Sequence, residues 1–338
     1  MTIDYRPFAS TASGLDVRAL IQQRATDGSL PGARRDPHRL ALCIEGGAMR
    51  GVVSAGMVAA LEQLGLLSVF DRVYGSSAGA MNGAFFLAGQ AAFGTTIYYE
   101  NINNERFIDF RRQWGRRPIL DLDYLVWDVM CGPKRLDVDR VLASPIEFRL
   151  LATETASGRR ADFGSWTNSD DFLGGLRAGA SMPFVSGPPY AYRGRCYWDA
   201  LLSEPIPARI AEDDGFTHLL VLLTRPSGAP GPRLSMTDRV YMMPRLRRVS
   251  PALAKRYAER PREYAELIAG LDRGRAPGGR ASVLAVAPRE QTVGKLERDR
   301  TRLIAAASAG MHAVFDALGY DGVATSSAGL HACLIRRT

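Results

Sequence analysis

The sequence predicts an α/β protein with a mainly parallel central sheet and helices on both of its faces. Three observations carry this expectation. Residues 40–87 read in order as strand, glycine loop, helix, strand, serine turn and helix, the alternation that builds parallel sheets. Thr217–Leu223 (THLLVLL) is an almost unbroken apolar run, the pattern of a strand covered on both sides. Ser282–Ala287 reads as a last strand, and Val293–Leu318 as a long amphipathic helix. The 338 residues, 46% apolar and 23% charged, are enough to bury a sizeable core in one large domain or two smaller ones.

Taken in order, Met1–His38 reads as a peripheral extension, with one short helix over Leu15–Arg24 and a basic linker over Gly32–His38. Leu40–Ile44 has the length and composition of a buried strand. Apolar residues then recur at helical spacing from Val52 to Leu66. Arg72-Val73-Tyr74 is a second strand, and Gly75-Ser76-Ser77-Ala78-Gly79 turns straight into a helix through Phe86. Tyr98–Val138 is aromatic and charged, read as helices and a long loop whose rings pack a subdomain. Phe148–Thr153 and Ala161–Phe163 flank a Ser157-Gly158 turn, a hairpin signal. A short helix over Leu173–Ala180 stops before Met182-Pro183, and Tyr190–Tyr192 and Cys196–Trp198 form a second hairpin about Gly194. Asp238–Gly270 is basic and helical around prolines, either a solvated face or a surface that meets a membrane. The expected division is an extension (1–38), a core (39–225) and a C-terminal part of the same α/β unit with a helical appendage (226–338).

The two turns of residues 40–87 carry the chemistry. In a G-x-S-x-G elbow the serine sits on a sharp strand-to-helix turn that admits only small neighbours. Gly75, Ser76, Ala78 and Gly79 are all small, and the helix after Ser77 aims its positive end at the site. Such a string also marks plain tight turns, so the upstream loop matters. Gly46, Gly47 and Gly51 permit a close backbone approach, which leaves the amides of Gly47 and Ala48 free to face an anion. The loop is no P-loop, since Lys and Ser or Thr do not follow its last glycine, and Gly-Gly-x-x-x-Gly is not a dinucleotide fingerprint. A glycine loop about thirty residues before a serine elbow fits an oxyanion hole better than a nucleotide site.

Gly46-Gly47-Ala48-Met49-Arg50-Gly51 and Gly75-Ser76-Ser77-Ala78-Gly79 together resemble the patatin-like phospholipases, whose marks are a G-G-x-x-R/K-G loop, a G-x-S-x-G elbow and a later D-G-G/A. The resemblance runs over about residues 39–318. It implies a three-layer sandwich and a serine lipid acyl hydrolase of phospholipase A, lysophospholipase or esterase type. Ser77 is then the nucleophile and Asp199 its partner, with Gly46, Gly47, Ala48 and Ala78 around the oxyanion. Arg50, Gly51, Gly75 and Gly79 support these motifs, and no metal or cofactor is implied. Glu204-Pro205 fits the family's pattern after the aspartate, but Ala200 stands where glycine is usual. If that position needs a positive φ, alanine costs about 1–2 kcal/mol and Ala200→Gly keeps or raises activity. Asp214-Gly215 is a literal D-G nearby, read as an ordinary loop before a strand. The aromatic 98–138 segment, beside a lipid-cleaving site, is a candidate acyl pocket or lid. A free aspartate is a poor base at neutral pH, so burial by neighbours such as Trp198 and Leu201 is expected to raise its pKa.

Other classes fit less well. The formal charge of +8 comes almost wholly from arginine, Lys134, Lys255 and Lys295 being the only lysines among 43 basic residues. No zinc-finger, recognition-helix or RNA-binding signature accompanies it, so nucleic acid is not an expected partner, whereas an anionic membrane surface is. Cys43, Cys131, Cys196 and Cys333 are scattered singly, without metal spacing and as in a reducing compartment. The opening MTIDYRPFAS lacks an apolar signal core and no apolar run nears ~20 residues, so a cytoplasmic protein, peripheral at the membrane at most, is expected. A Ser-His-Asp triad would need a histidine after the acid. Of His38, His218, His312 and His331, only His331 sits in a loop-like end. Acyl transfer through the same acyl-enzyme, or a silent lipid- or protein-binding homologue, are the remaining alternatives.

Overall fold

A computed structural model describes residues 11–115, 117–290 and 293–320. His331, Cys333 and the closing appendage lie outside the described residues. The α/β class is as predicted. Eight strands form one sheet: β1 (Leu40–Ile44), β2 (Arg72–Ser76), β3 (Glu147–Glu154), β4 (Arg160–Phe163), β5 (Tyr190–Tyr192), β6 (Arg195–Asp199), β7 (His218–Leu222) and β8 (Ser282–Val286). β8, β7, β1, β2 and β3 run parallel in that spatial order, while β4, β5 and β6 are antiparallel additions at the β3 end.

Period-two alternation explains why the central strands are apolar throughout. Leu40, Leu42 and Ile44 of β1 point to one core, with Leu220, Leu222, Leu284 and Val286 beside them. Ala41 and Cys43 point to the other, with Leu219, Val221, Val283 and Ala285. Helices α1 (Ala12–Thr26), α2 (Val52–Gln63), α3 (Ala78–Leu87) and Arg300–Leu318 cover the first face. Helices Ala208–Asp213 and Pro251–Leu271 cover the second.

Two expectations change. The first 38 residues were expected to be peripheral, yet α1 buries Val17, Leu20 and Ile21 in the main core. Its Arg24 is 1% exposed and donates to Asp36, Asp71 and the carbonyls of Val69 and His38. The last helix begins at Arg300 rather than Val293, because Asp299 caps it by accepting from the Arg302 amide at 2.8 Å. The preceding segment instead crosses the glycine loop, where the Lys295 carbonyl accepts from the Met49 amide at 3.1 Å.

Candidate active site

Strand register assembles the site. β1 pairs Ile44 with Gly75 of β2 and with Leu222 of β7. Two residues further along, that register sets Gly46 level with Ser77 and Thr224, beyond the C-terminal edge of the parallel strands. On β3, Leu150 and Leu151 pair with β2 and β4 at once, and Ala152 and Thr153 with β4 and β6 at once. β2 and β6 therefore share one side of β3, end to end. β6 enters where β2 leaves the sheet at Ser77, and its last residue, Asp199, pairs with Ala152.

The predicted pair meets there. Ser77 Oγ donates to Asp199 Oδ2 at 2.6 Å across 122 positions of sequence. Ser77 adopts φ 55° and ψ −128°, a strained conformation for a side-chain-bearing residue. Gly75 and Gly79 are needed because a Cβ on either would strike backbone, of Ala80 and of Ile44 respectively. Asp199 is 1% exposed and also accepts from the Leu201 amide at 2.7 Å. Desolvation raises its pKa from 3.8 to about 6, against the opposing pull of the Ser77 and Leu201 bonds.

The glycine loop lies against the elbow. Gly47 has an extended φ of 175°, and Ala48 takes φ 52° to open the short turn Ala48–Gly51. Ala48 and Ala78 each occupy the first position of a helical turn, where an amide has no partner within the turn. Among the described residues, no acceptor takes the amides of Gly46, Gly47, Ala48 or Ala78. The loop is braced from beneath: Asn82 Nδ2 donates to the Gly51 carbonyl at 2.9 Å, and Tyr98 OH to Asn82 Oδ1 at 3.0 Å. Gly51 has no room for a Cβ beside Ala78 and Tyr98. Arg50 is buried, with its Nε on Thr224 Oγ1 at 3.3 Å.

Ala200 departs from the expectation of strain. It is not among the residues with positive φ; it opens a single turn, Ala200–Leu202, with its methyl fully buried. Asp214 is not at the site. It accepts from Tyr74 OH and Arg72, and Arg72 begins β2 at the opposite edge of the sheet. His38 and His218 stack edge to face at that same far end, about 20 Å from Ser77 by strand rise. His312 is exposed on the last helix, its Nδ1 on the Ser308 carbonyl. Cys43 is buried in β1, and Cys131 and Cys196 are exposed free thiols. Among the described residues, no three His, Cys, Asp or Glu side chains are grouped to hold a metal ion. No described helix is long and apolar enough to cross a membrane.

Two hollows meet at Ser77. One is a narrow apolar channel reaching from Ser77 and Met182 to Phe85, Phe107, Leu122 and Met130. The 98–138 segment, expected to pack a subdomain, supplies much of its lining. The other is a cleft whose walls include Gly47, Arg50, Arg225, Arg260 and Lys295. Sequence reading missed this cleft. Its last three residues sit in stretches that read as loop, solvated helix and amphipathic helix, with no local signal that they converge.

A parallel-sheet α/β protein with a serine on a strained strand–helix elbow, hydrogen-bonded to a buried carboxyl, is the class defined by fold and site. The family model described as patatin-like phospholipase matches residues 42–212, and the chain belongs to that family. It is 27% identical over 197 residues to the uncharacterized protein YjjU of Escherichia coli K12, covering 56% of this chain and 53% of that one. The chain thus spans about half the length of this curated relative. A crystal structure of VipD from Legionella pneumophila aligns over 84% of this chain and 67% of its own, at 10% identity and a TM-score of 0.46.

Proposed function

We propose that the protein is a serine lipid acyl hydrolase working through a Ser77–Asp199 dyad. The observation that carries this is the 2.6 Å Ser77–Asp199 hydrogen bond at a strained elbow. Asp199, titrating near 6, is ionised at neutral pH yet basic enough to accept the serine proton as Oγ attacks an ester carbonyl. The carbonyl oxygen becomes an oxyanion held by the amides of Gly47 and Ala48, with Gly46 and Ala78 adjoining. One such donor is typically worth ~3–4 kcal/mol of barrier. The proton then passes from Asp199 to the leaving alkoxide, and water, activated by the same carboxylate, releases the acyl group. The apolar channel supports a fatty acyl substrate. Exposed Met236, Val240 and Tyr241, beside exposed Arg239, Arg247 and Arg248, support contact with an anionic lipid surface.

A fluorophosphonate probe, whose adduct mimics the tetrahedral oxyanion, tests the reading. Wild-type protein should label at Ser77 and Ser77→Ala should not. Asp199→Asn should label about 10²–10⁴-fold more slowly, the span of a general base. His331→Ala should label like wild type, and its loss of labelling would replace the dyad with a triad. A wild type that neither labels nor releases fatty acid from any lipid ester would leave only a silent binder.

A further inference from the structure

Arg50, Arg225, Arg260 and Lys295 line the cleft beside Ser77. Among the described residues none of the four forms an ion pair, whereas Lys134 and Lys255 each face a glutamate. The two carboxyl groups in the cleft are engaged elsewhere. Glu45 accepts from the Thr224 amide at 2.6 Å, Thr224 Oγ1 at 2.8 Å and Tyr264 OH at 3.2 Å. Asp199 accepts from Ser77 and Leu201. The cations are held instead by neutral groups: Arg50 by Thr224 Oγ1, and Arg225 by the Pro230 carbonyl at 2.8 Å. The Arg260 guanidinium lies 4.4 Å from the Tyr257 ring centre, and its Nε is buried without a hydrogen-bond partner. Lys295, exposed within the cleft, is fixed over the glycine loop by its own carbonyl on the Met49 amide.

Arg50 and Lys295 are both held below their ordinary values. Lys295 is pushed down to about 8, first by desolvation and then by Arg50, Arg260 and Arg225, with Asp199 opposing. Arg50 is lowered by burial and by Arg225, although Glu45 opposes this. Like charges gathered with too little counter-charge are costly unless a ligand supplies the rest.

We propose that these four side chains bind a phosphate-monoester dianion on the leaving-group side of Ser77, so that the protein selects acyl esters whose alcohol carries such a phosphate. The selection rests on the ester-cleaving role of Ser77; the anion site does not. Four cations against the two carboxyl groups that line the cleft leave it net positive, which favours a dianion. A phosphocholine would carry its quaternary ammonium into the same positive field. Guanidinium forks suit phosphate oxygens, and the ammonium adds a point charge. With the acyl chain in the apolar channel, the scissile ester lies at Ser77 and the phosphate falls in the cleft. Arg225, Arg260 and Lys295 all lie beyond the matched residues 42–212, so this selection belongs to the C-terminal part of the chain.

Binding and turnover test the two parts separately. By calorimetry, full-length Ser77→Ala should bind decyl phosphate below its micelle concentration at least tenfold more tightly than decylphosphocholine or inorganic phosphate. Adding Lys295→Gln or Arg260→Gln should weaken decyl phosphate at least tenfold. In the Ser77 protein, the ratio of kcat/KM for lysophosphatidic acid to that for the monoacylglycerol of the same chain should fall tenfold or more in either variant. Using the ratio cancels any change at the dyad. Unchanged decyl phosphate binding in both variants, with native circular dichroism, overturns the site. Equal binding of inorganic phosphate reassigns it to a free ion, and equal binding of decylphosphocholine refutes the dianion. Lys295-dependent decyl phosphate binding in a protein that fails to label at Ser77 would uphold the anion site while removing the hydrolase reading.

Discussion

At the scale of single residues, the buried Asp199 carboxyl carries a stability cost and, under the proposed dyad, sets the working pH. Its carboxyl is raised from 3.8 to about 6 by desolvation, so the folded state prefers the protonated form. The resulting stability is fully present below pH 3.8 and is lost as pH rises through about 6. The proposed dyad needs the opposite form. Labelling rate and kcat/KM on an uncharged ester should therefore fall as pH drops through about 6 and level off above it. Asp199→Asn removes the buried charge and should stabilise the protein at pH 8 by up to about 3 kcal/mol, the equivalent of two pKa units. Urea unfolding at pH 8 and pH 4 checks this, and the gain should vanish at the lower pH. Ala200 carries no strain for glycine to relieve. Ala200→Gly should leave the labelling rate unchanged and cost about 1 kcal/mol, through a lost methyl and a freer unfolded chain. A labelling rate raised several-fold would restore the strain argument.

At the scale of elements, the strand–loop–helix units position one another by backbone contact. Gly46 packs on the elbow so closely that an added Cβ would lie 2.5 Å from the Ser76 carbonyl oxygen and 2.7 Å from Ser77 Cβ. Gly46→Ala should displace Ser77 from the loop amides, slowing fluorophosphonate labelling at least a hundredfold. The folding cost should be only that of ordinary overpacking, about 1–3 kcal/mol. Near-normal labelling with lowered Tm would mean that the loop yields and the elbow does not. The same closeness recurs where α2 meets helix Arg300–Leu318. Gly56 lies on the Ala307 backbone and Gly310 on Val53. That contact fixes the last helix against α2, and with it the entry of the segment that brings Lys295 over the loop.

At the scale of the whole molecule, α1 and the helix Arg300–Leu318 belong to the machinery of the core. Arg24 ties α1 to the turn before β2 through Asp71 and to the approach of β1 through Asp36 and the His38 carbonyl. Arg24→Gln takes the cation from Asp36 and leaves Asp71 with Arg34 alone, and should cost about 1–3 kcal/mol in urea unfolding. A loss under 1 kcal/mol would return α1 to the periphery. The crossing segment at Lys295 completes the cleft from the other end of the chain. The site is thus built from residues 46 to 295, more than the span matched by the family model.

By itself, the sequence determined whatever rests on neighbours in the chain. The elbow, the glycine loop and the two-sided strands are local matters of small residues and apolar runs, and sterics at those positions leave few other conformations. That Asp199 rather than Asp214 lies beside Ser77 followed from family resemblance and from the loop-like setting of Asp214. The tertiary structure alone decided what depends on register and on charge at a distance. β6 takes the place β2 vacates, and that brings Asp199 to Ser77 and strips it of water. Ala200 needed no positive φ because its turn bends without one. Arg24 became a buried anchor only when Asp36 and Asp71 closed around it. Arg225, Arg260 and Lys295 stand far apart in sequence, each ordinary among its neighbours. Their shared field exists only once the sheet and the last helix place them around one cleft, because Coulomb interaction depends on distance in space.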